Sequence, residues 1–403
     1  MNLGMRVLDV RHVTQSLCEG LEAEDMTVQP IADVSPLKWH LAHTSWFFEE
    51  LILCVSLPGY KRFDEGYREL FNSYYKSLGR HWVQGDRGSL SRPSVREILA
   101  YRKHVNDGLR RLFERPFLDA EVKHLLELGI QHEEQHQELF LMDVKYILSR
   151  NPCEPIFRQT PLGAAEKPSA NWINIPEQIA EIGVDLDPHA FTFDNERPRH
   201  KVYVYPFSIR ESLVTNAEFL CFIEEGGYQN PEYWLSLGWE WVNAHTVKHP
   251  LYWAKQDDRW TEYTLHGTVP LEPNYPVTHI SYFEASAFAR WSKARLPREE
   301  ELEIYLAKTQ ASSLRSDLHP TNANQSEGQV WCWTQSAYSA YPGYQEFSGA
   351  VREYNGKFMC NQFVLRGGCA VTPKGHARAT YRNFFLPEQR WMFSGLRLAK
   401  DSR

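Results

Sequence analysis

Residues 118–148 read LDAEVKHLLELGIQHEEQHQELFLMDVKYIL, and at their centre stands His132-Glu133-Glu134-Gln135-His136. The run is amphipathic and long enough for one continuous helix. Two imidazoles four residues apart on a helix share a face, with Cβ atoms roughly 5–6 Å apart. That separation suits two bonds to one metal ion, at metal–nitrogen distances of about 2.0–2.1 Å. A metal site needs at least one more ligand, and the residue that supplies it decides the chemistry.

Working outward, the first 150 residues or so read as helices. Arg6 to Leu21 is periodic. Ser35-Pro36 opens a second helix, with Ser as N-cap and Pro at the first helical position. That helix carries Trp39, His40, Ala42, His43, Trp46, Phe47 and Glu50. Ser94 to Phe113 is a third and Leu118 to Leu148 the fourth. Four long helices suggest a bundle, and bundles build metal sites from side chains facing inward. Pro152, Pro155, Pro161 and Pro168 then mark a linker. Beyond Trp172 come short strands, Gly/Pro/Asn turns and aromatics. Lys201 to Ile209 alternates as one strand does, while Val214 to Glu225 and Tyr282 to Ala294 read as helices. The expected organisation is therefore a helical bundle over 1–150, a linker over 151–171 and a mixed domain over 172–403, an α+β protein.

A chain of 403 residues favours two domains over one. The net charge of -7 argues against nucleic-acid binding as the main role. The most apolar region, Trp46 to Leu57, is interrupted by Glu49 and Glu50 and is too short to span a bilayer. No basic stretch followed by an apolar core opens the chain, so no secretory signal is visible. Seven scattered cysteines fit a reducing cytoplasm better than a disulfide framework. A cytoplasmic protein with no membrane or nucleic-acid partner is the expectation.

His43 is the natural third ligand. One His from the second helix plus an i,i+4 pair from the fourth makes a three-nitrogen site with open positions. Imidazoles alone do not select iron over zinc. His40 reads instead as a hydrogen-bonded core residue. HEEQH also fits the HExxH pattern of zinc proteases, with Glu133 as general base. The longer metzincin pattern fails, because Leu139 and Met142 stand where Gly and a third His are wanted.

Several segments carry a family resemblance. They are WHLAHTSWFFE over 39–49, FNSYY over 71–75 and HEEQHQE over 132–138. All three resemble the DinB-like N-terminal domain of the ergothioneine-pathway sulfoxide synthases (the EgtB family). The C-terminal half is similar to the formylglycine-generating-enzyme fold, related to C-type lectins. Its marks are FDNERPRH over 193–200, VTNAEF over 214–219, Arg295-Leu296-Pro297, VWCWT over 330–334, LRGG over 365–368 and GLRL over 395–398.

The resemblance implies an iron(II)- and O2-dependent sulfoxide synthase whose metal ligands are His43, His132 and His136. It joins the imidazole of hercynine (trimethylhistidine) to a thiol and oxidises the sulfur, giving hercynylcysteine sulfoxide where the thiol is cysteine. Paired tyrosines serve one subgroup as the catalytic acid, which points to Tyr75, with Tyr74 second. Gln135 and Asn383 are implied to hydrogen-bond the amino-acid end of hercynine. Phe384 and Phe385 are implied to face its trimethylammonium group, since a quaternary cation favours aromatic faces. Members using γ-glutamylcysteine carry an acidic residue where Phe385 stands here, so free cysteine is the expected thiol. Arg390, then Arg87, followed by Arg378 and Arg382, are candidates for its carboxylate. The C-terminal half is expected to complete the substrate pocket. The copper-binding cysteine pair of formylglycine-generating enzymes, spaced with four residues between, does not occur. The alternatives are an ovothiol-type or selenium-handling synthase, a zinc hydrolase, and a non-catalytic binding module.

Overall fold

The computed structural model describes residues 2–73, 75, 79–187, 190–309 and 317–402, the side chain of Ala350 excepted. It divides into two compact units. The first is Met1–Phe157 together with Phe347–Tyr354, and the second is Arg158–Glu346 with Asn355–Arg403.

Four long helices build the first unit: α1 (Leu3–Ser16), α2 (Leu37–Phe48), α3 (Val95–Phe113) and α4 (Ala120–Ser149). Each long helix after α2 starts on a side-chain cap. Ser94 and Glu97 form a reciprocal capping box at α3, and Asp119 accepts the N–H of Val122 at α4. Helix α2 differs from the sequence expectation. Its N-cap is Pro36 with no side-chain cap bond. The Ser35 hydroxyl instead accepts a bond from Arg87 at 2.8 Å, and the Ser35 N–H donates to Asp143 at 2.9 Å. A tertiary partner has taken the group that the local cap would have used.

Helix α4 is buried along most of its length because it packs against both α1 and α2, while α2 also packs on α3. The α2–α4 approach is close at Gly129, where a Cβ would lie 2.6 Å from Cε1 of Phe48. Glycine at this position is what brings the His43 helix within reach of His132. A buried ion cluster sets the opposite side of the bundle. Glu133 accepts bonds from Arg11 of α1 (3.1 Å) and from Arg102 of α3, and all three side chains are fully buried. Arg102 also donates to Thr44 (3.1 Å) and Arg11 to Ser45 (3.1 Å), so the cluster ties all four helices.

The second unit is strand-rich. Strand β1 is Trp172–Ile175, β2 Gln178–Ile182, β3 His200–Val204, β4 Phe207–Arg210, β5 Trp253–Gln256, β6 Arg259–Thr264 and β7 Gly267–Pro270. Strand β8 is Trp331–Ala337, β9 Phe363–Arg366, β10 Asn383–Phe385, β11 Ser394–Gly395 and β12 Ala399–Asp401. They form sheets ordered β1-β4-β12, β2-β3, β5-β6-β7 and β10-β9-β8-β11. The single strand expected over 201–209 is two. Pro206, which has no N–H to give a ladder, separates β3 from β4, and each joins a different sheet. Helices α5 (Asn216–Glu224) and α7 (Tyr282–Trp291) open on capping boxes from Thr215/Glu218 and Ser281/Glu284. Between them lies α6 (Ser236–Ala244), and α8 (Glu299–Leu306) follows. Apolar side chains such as Ile182, Phe207, Ile209, Leu302 and Tyr305 make one core cluster. Glu299 is held beside it by Arg366 (3.0 Å) and Arg382 (2.8 Å). Among the described residues, no helix is long and apolar enough to cross a membrane.

Candidate metal centre

Helix α4 presents His132 and His136 toward α2, one turn apart, and α2 presents His43 toward them. One nitrogen from each ring lies within 4.8 Å of the others. The Nε2 atoms of His43 and His132 are 3.2 Å apart. Two nitrogens bound to one ion at about 2.0–2.1 Å and near a right angle stand roughly 3 Å apart, so this edge has a ligand's dimensions. All three rings are buried.

The protonation of the rings agrees with ligation. Nδ1 of His43 donates to the carbonyl of Phe71 at 2.7 Å, which leaves its Nε2 bare. Burial, followed by the neighbouring His132, pushes the His43 imidazolium well below its ordinary range. Burial likewise pushes His132 down to about 3, and with the nearby imidazoles it holds His136 far down. Nδ1 of His132 is buried and makes no hydrogen bond among the described residues. Three neutral imidazoles with bare nitrogens converging on one point fit a divalent transition metal.

An aromatic stack braces the centre. Trp39 lies on His43 at 4.5 Å between ring centroids and 11° between planes, and Trp46 stacks with the same ring at 5.6 Å and 12°. The guanidinium of Arg87 sits 3.3 Å above the Trp39 ring. Arg87 is buried, and burial pushes it down to about 9 against the pull of Asp143. Its loop is anchored by Lys38, whose ammonium donates to the carbonyls of Leu90 (2.6 Å) and Pro93 (3.1 Å).

The remaining expected site residues fall in several places. Tyr75 is fully buried, with its ring 5.6 Å from Trp46, and its backbone is held at both ends by the Asn72 amide. Tyr74 lies outside the described residues. Gln135 immediately precedes His136 on α4, and its Oε1 accepts the hydroxyl of Tyr354 at 2.5 Å. Asn383, Phe384 and Phe385 are the whole of β10 in the second unit. Phe384 stacks on Tyr338 at 4.1 Å and 9°, and Phe385 meets Trp391 edge-on at 5.4 Å. Arg390 is engaged within that unit, donating to the His249 carbonyl (2.9 Å) and to Glu284 (3.3 Å). Arg378 is bonded to Glu196 and Arg382 to Glu299.

Tyr354 is the residue that the sequence reading missed. It is buried, belongs to the first unit, and its ring lies 6.0 Å from that of His132. Its only sequence signal is a lone Tyr in Glu353-Tyr354-Asn355-Gly356, far from the histidines along the chain.

The hydrolase reading of HEEQH does not survive this geometry. Glu133 gives both carboxylate oxygens to Arg11 and Arg102. Burial pushes its carboxyl up, but Arg102 and Arg11 outweigh that and hold it below the usual carboxylate range. A base so paired and turned toward α1 and α3 cannot take a proton at the histidine cluster.

Two family descriptions match the chain: the DinB superfamily over residues 7–140 and the sulfatase-modifying factor enzyme 1-like domain over residues 162–326. Hercynine oxygenase of Mycolicibacterium thermoresistibile is 30% identical, with 99% of this chain and 94% of that protein aligned. The chain belongs to the hercynine oxygenase family. Hercynine oxygenase of Mycolicibacterium smegmatis is 32% identical across 68% of this chain and 71% of its own length. Ergothioneine biosynthesis protein 1 of Schizosaccharomyces pombe is 25% identical across 70% of this chain, which matches 40% of that longer protein. The α+β architecture, with a DinB-like helical part followed by a sulfatase-modifying-factor-like part, follows from the same matches. An enzyme of the oxygenase and sulfoxide synthase type acting on small molecules is the activity that this membership carries.

Proposed function

We propose that this enzyme forms a carbon–sulfur bond between the imidazole of hercynine and the thiol of cysteine, consuming O2 and leaving the sulfur as a sulfoxide. The observation that carries the reading is the convergence of three bare imidazole nitrogens from His43, His132 and His136 inside the DinB-like half of a hercynine oxygenase relative. Iron(II) held there would supply exchangeable positions for both substrates and O2, together with the redox capacity for the oxidation.

The chain's own residues then have separate tasks. Phe71 fixes the His43 ring through its carbonyl, and Trp39 and Trp46 both stack with it. This rigidity keeps the centre in one geometry as substrates arrive. Burial keeps the imidazoles unprotonated, so they remain donors at neutral pH. Tyr354 and Tyr75 are the candidate proton donors. Tyr354 already points its hydroxyl at Gln135, beside His132, which makes it the stronger of the two. Gln135 would then give its amide N–H to the substrate while Tyr354 occupies its oxygen. Arg87, desolvated over Trp39, suits a carboxylate better than the already paired Arg390. Phe385 brings no charge for a γ-glutamyl amino group, which supports free cysteine as the thiol.

The test is an aerobic incubation of the full chain with iron(II), hercynine and cysteine, analysed by mass spectrometry. The expected product has the mass of both substrates plus one oxygen, less two hydrogens. Its absence alongside cysteine sulfinate would leave a thiol dioxygenase and refute the coupling.

A further inference from the structure

Behind His136 lies an imidazole that the three-nitrogen centre does not use. His40 is on α2, one turn before His43, and is 2% exposed. Its Nδ1 is 2.9 Å from Nδ1 of His136. Its Nε2 is 2.9 Å from Oδ2 of Asp143, which is also 2% exposed and lies two turns beyond His136 on α4. The same carboxylate oxygen accepts the N–H of Ser35 at 2.9 Å.

The hydrogens along this chain follow from what each group can give. A carboxylate only accepts, so His40 donates from Nε2. A neutral His40 then has a bare Nδ1, and that bare nitrogen faces Nδ1 of His136. His136 must carry its hydrogen there, which leaves its lone pair on Nε2. The opposite assignment, with His40 donating from both nitrogens, would place the hydrogen of His136 on Nε2 and close that atom to a metal. Geometry points the same way: the ring of His136 is held from behind by a buried donor–acceptor pair on two helices.

We propose that His40 and Asp143 are positioning residues for the metal centre, locking His136 in the tautomer and ring orientation that direct Nε2 to the ion. This rests on the three-histidine reading given above. Asp143 orients His40, His40 orients His136, and neither touches metal or substrate. Ring-fixing partners of this kind govern metal affinity by about 10–100-fold.

The test uses the full chain, stripped of metal and titrated anaerobically with iron(II). His40→Phe and Asp143→Ala should each weaken iron(II) binding by about 10–100-fold. His40→Asn should restore most of the affinity, because its Oδ1 stands where Nδ1 stood and still accepts from His136. Cobalt(II) serves as a second probe. The visible spectrum of the loaded His40→Phe variant should shift, and that of His40→Asn should return toward wild type. His40→Leu carries the same comparison if the Phe variant is insoluble. Unchanged affinity and cobalt spectrum on losing the imidazole would overturn the inference, as would a His40→Asn variant no better than His40→Phe. Failure of the underlying reading looks different: wild type would then bind less than one equivalent of iron(II), or His132→Ala would bind as wild type does.

Discussion

Replacing Glu133 with Gln or Ala separates a structural carboxylate from a catalytic one. Glu133, Arg11 and Arg102 are all fully buried, and among the described residues the carboxylate is the one anion bonded to both guanidiniums. Burial, followed by repulsion from Arg102, already pushes Arg11 down to about 9 with Glu133 in place. Without it, two buried cations face each other. Breaking a buried pair by removing one partner costs about 3–5 kcal/mol. For a unit of this size each kcal/mol lowers Tm by about 2–4 °C, so a drop of roughly 6–20 °C is expected in the transition of the helical unit. Gln, which keeps one acceptor, should fall at the mild end and Ala at the severe end. The assay pairs thermal unfolding by circular dichroism with anaerobic iron(II) titration at a temperature where the variant is folded. One equivalent should still bind, because the three imidazoles are untouched. A variant that melts with wild type yet loses all turnover would behave as a general-base knockout and refute the assignment.

Removing His43, His132 or His136 one at a time, as Ala variants, should each abolish stoichiometric iron(II) binding, measured by metal analysis after gel filtration; full retention by any one would exclude it as a ligand. Metal-free protein should lose stability as pH falls. The unfolded His132 takes its proton near 6.5 whereas the folded one resists until about 3, so U binds protons first and stability drops from about pH 6.5 downward. His132 alone accounts for about 2 kcal/mol at pH 5, and equal urea midpoints at pH 7 and 5 in a chelator would contradict it. Tyr354→Phe should lower the ratio of sulfoxide to cysteine sulfinate by about 10²-fold or more, and Tyr75→Phe by less; chromatography of both products decides, and the reverse ranking would return the acid role to Tyr75. Arg87→Ala should raise KM for cysteine by about tenfold or more with a smaller change in kcat, and preference for γ-glutamylcysteine by the wild type would refute the thiol assignment.

The helical half was readable because its signals are local. The i,i+4 histidine pair, the Ser94 cap and the apolar stripes place α3 and α4 within a residue or two of their observed bounds, whereas α1 runs Leu3–Ser16 where Arg6 to Leu21 is expected. The histidine trio needs one cross-helix pairing, of His43 with the α4 pair, and the three nitrogens do lie together. Errors arose where a distant partner overrode a local preference. Ser35 gave up its cap for Arg87, and Pro206 split a strand whose alternation continues across it. The rival reading of Glu133 as a catalytic base stays open in sequence because the pattern specifies position along the helix and not which neighbours claim the carboxylate. Tyr354 and the His40–Asp143 pair are tertiary throughout. Nothing near 354 in the chain points to residues 132–135, and a buried His reads alike whether it binds a metal or steadies another ring.

Residues 347–354 belong to the helical unit although nearly two hundred residues of the other unit precede them. A gene cut at the proline-rich segment would therefore yield a fragment with all three histidines but no Tyr354. Such a fragment is expected to keep the three-histidine cluster and to lack the hydroxyl beside it. Swapping halves between relatives carries the same hazard, since a residue packed into the first unit is inherited with the second.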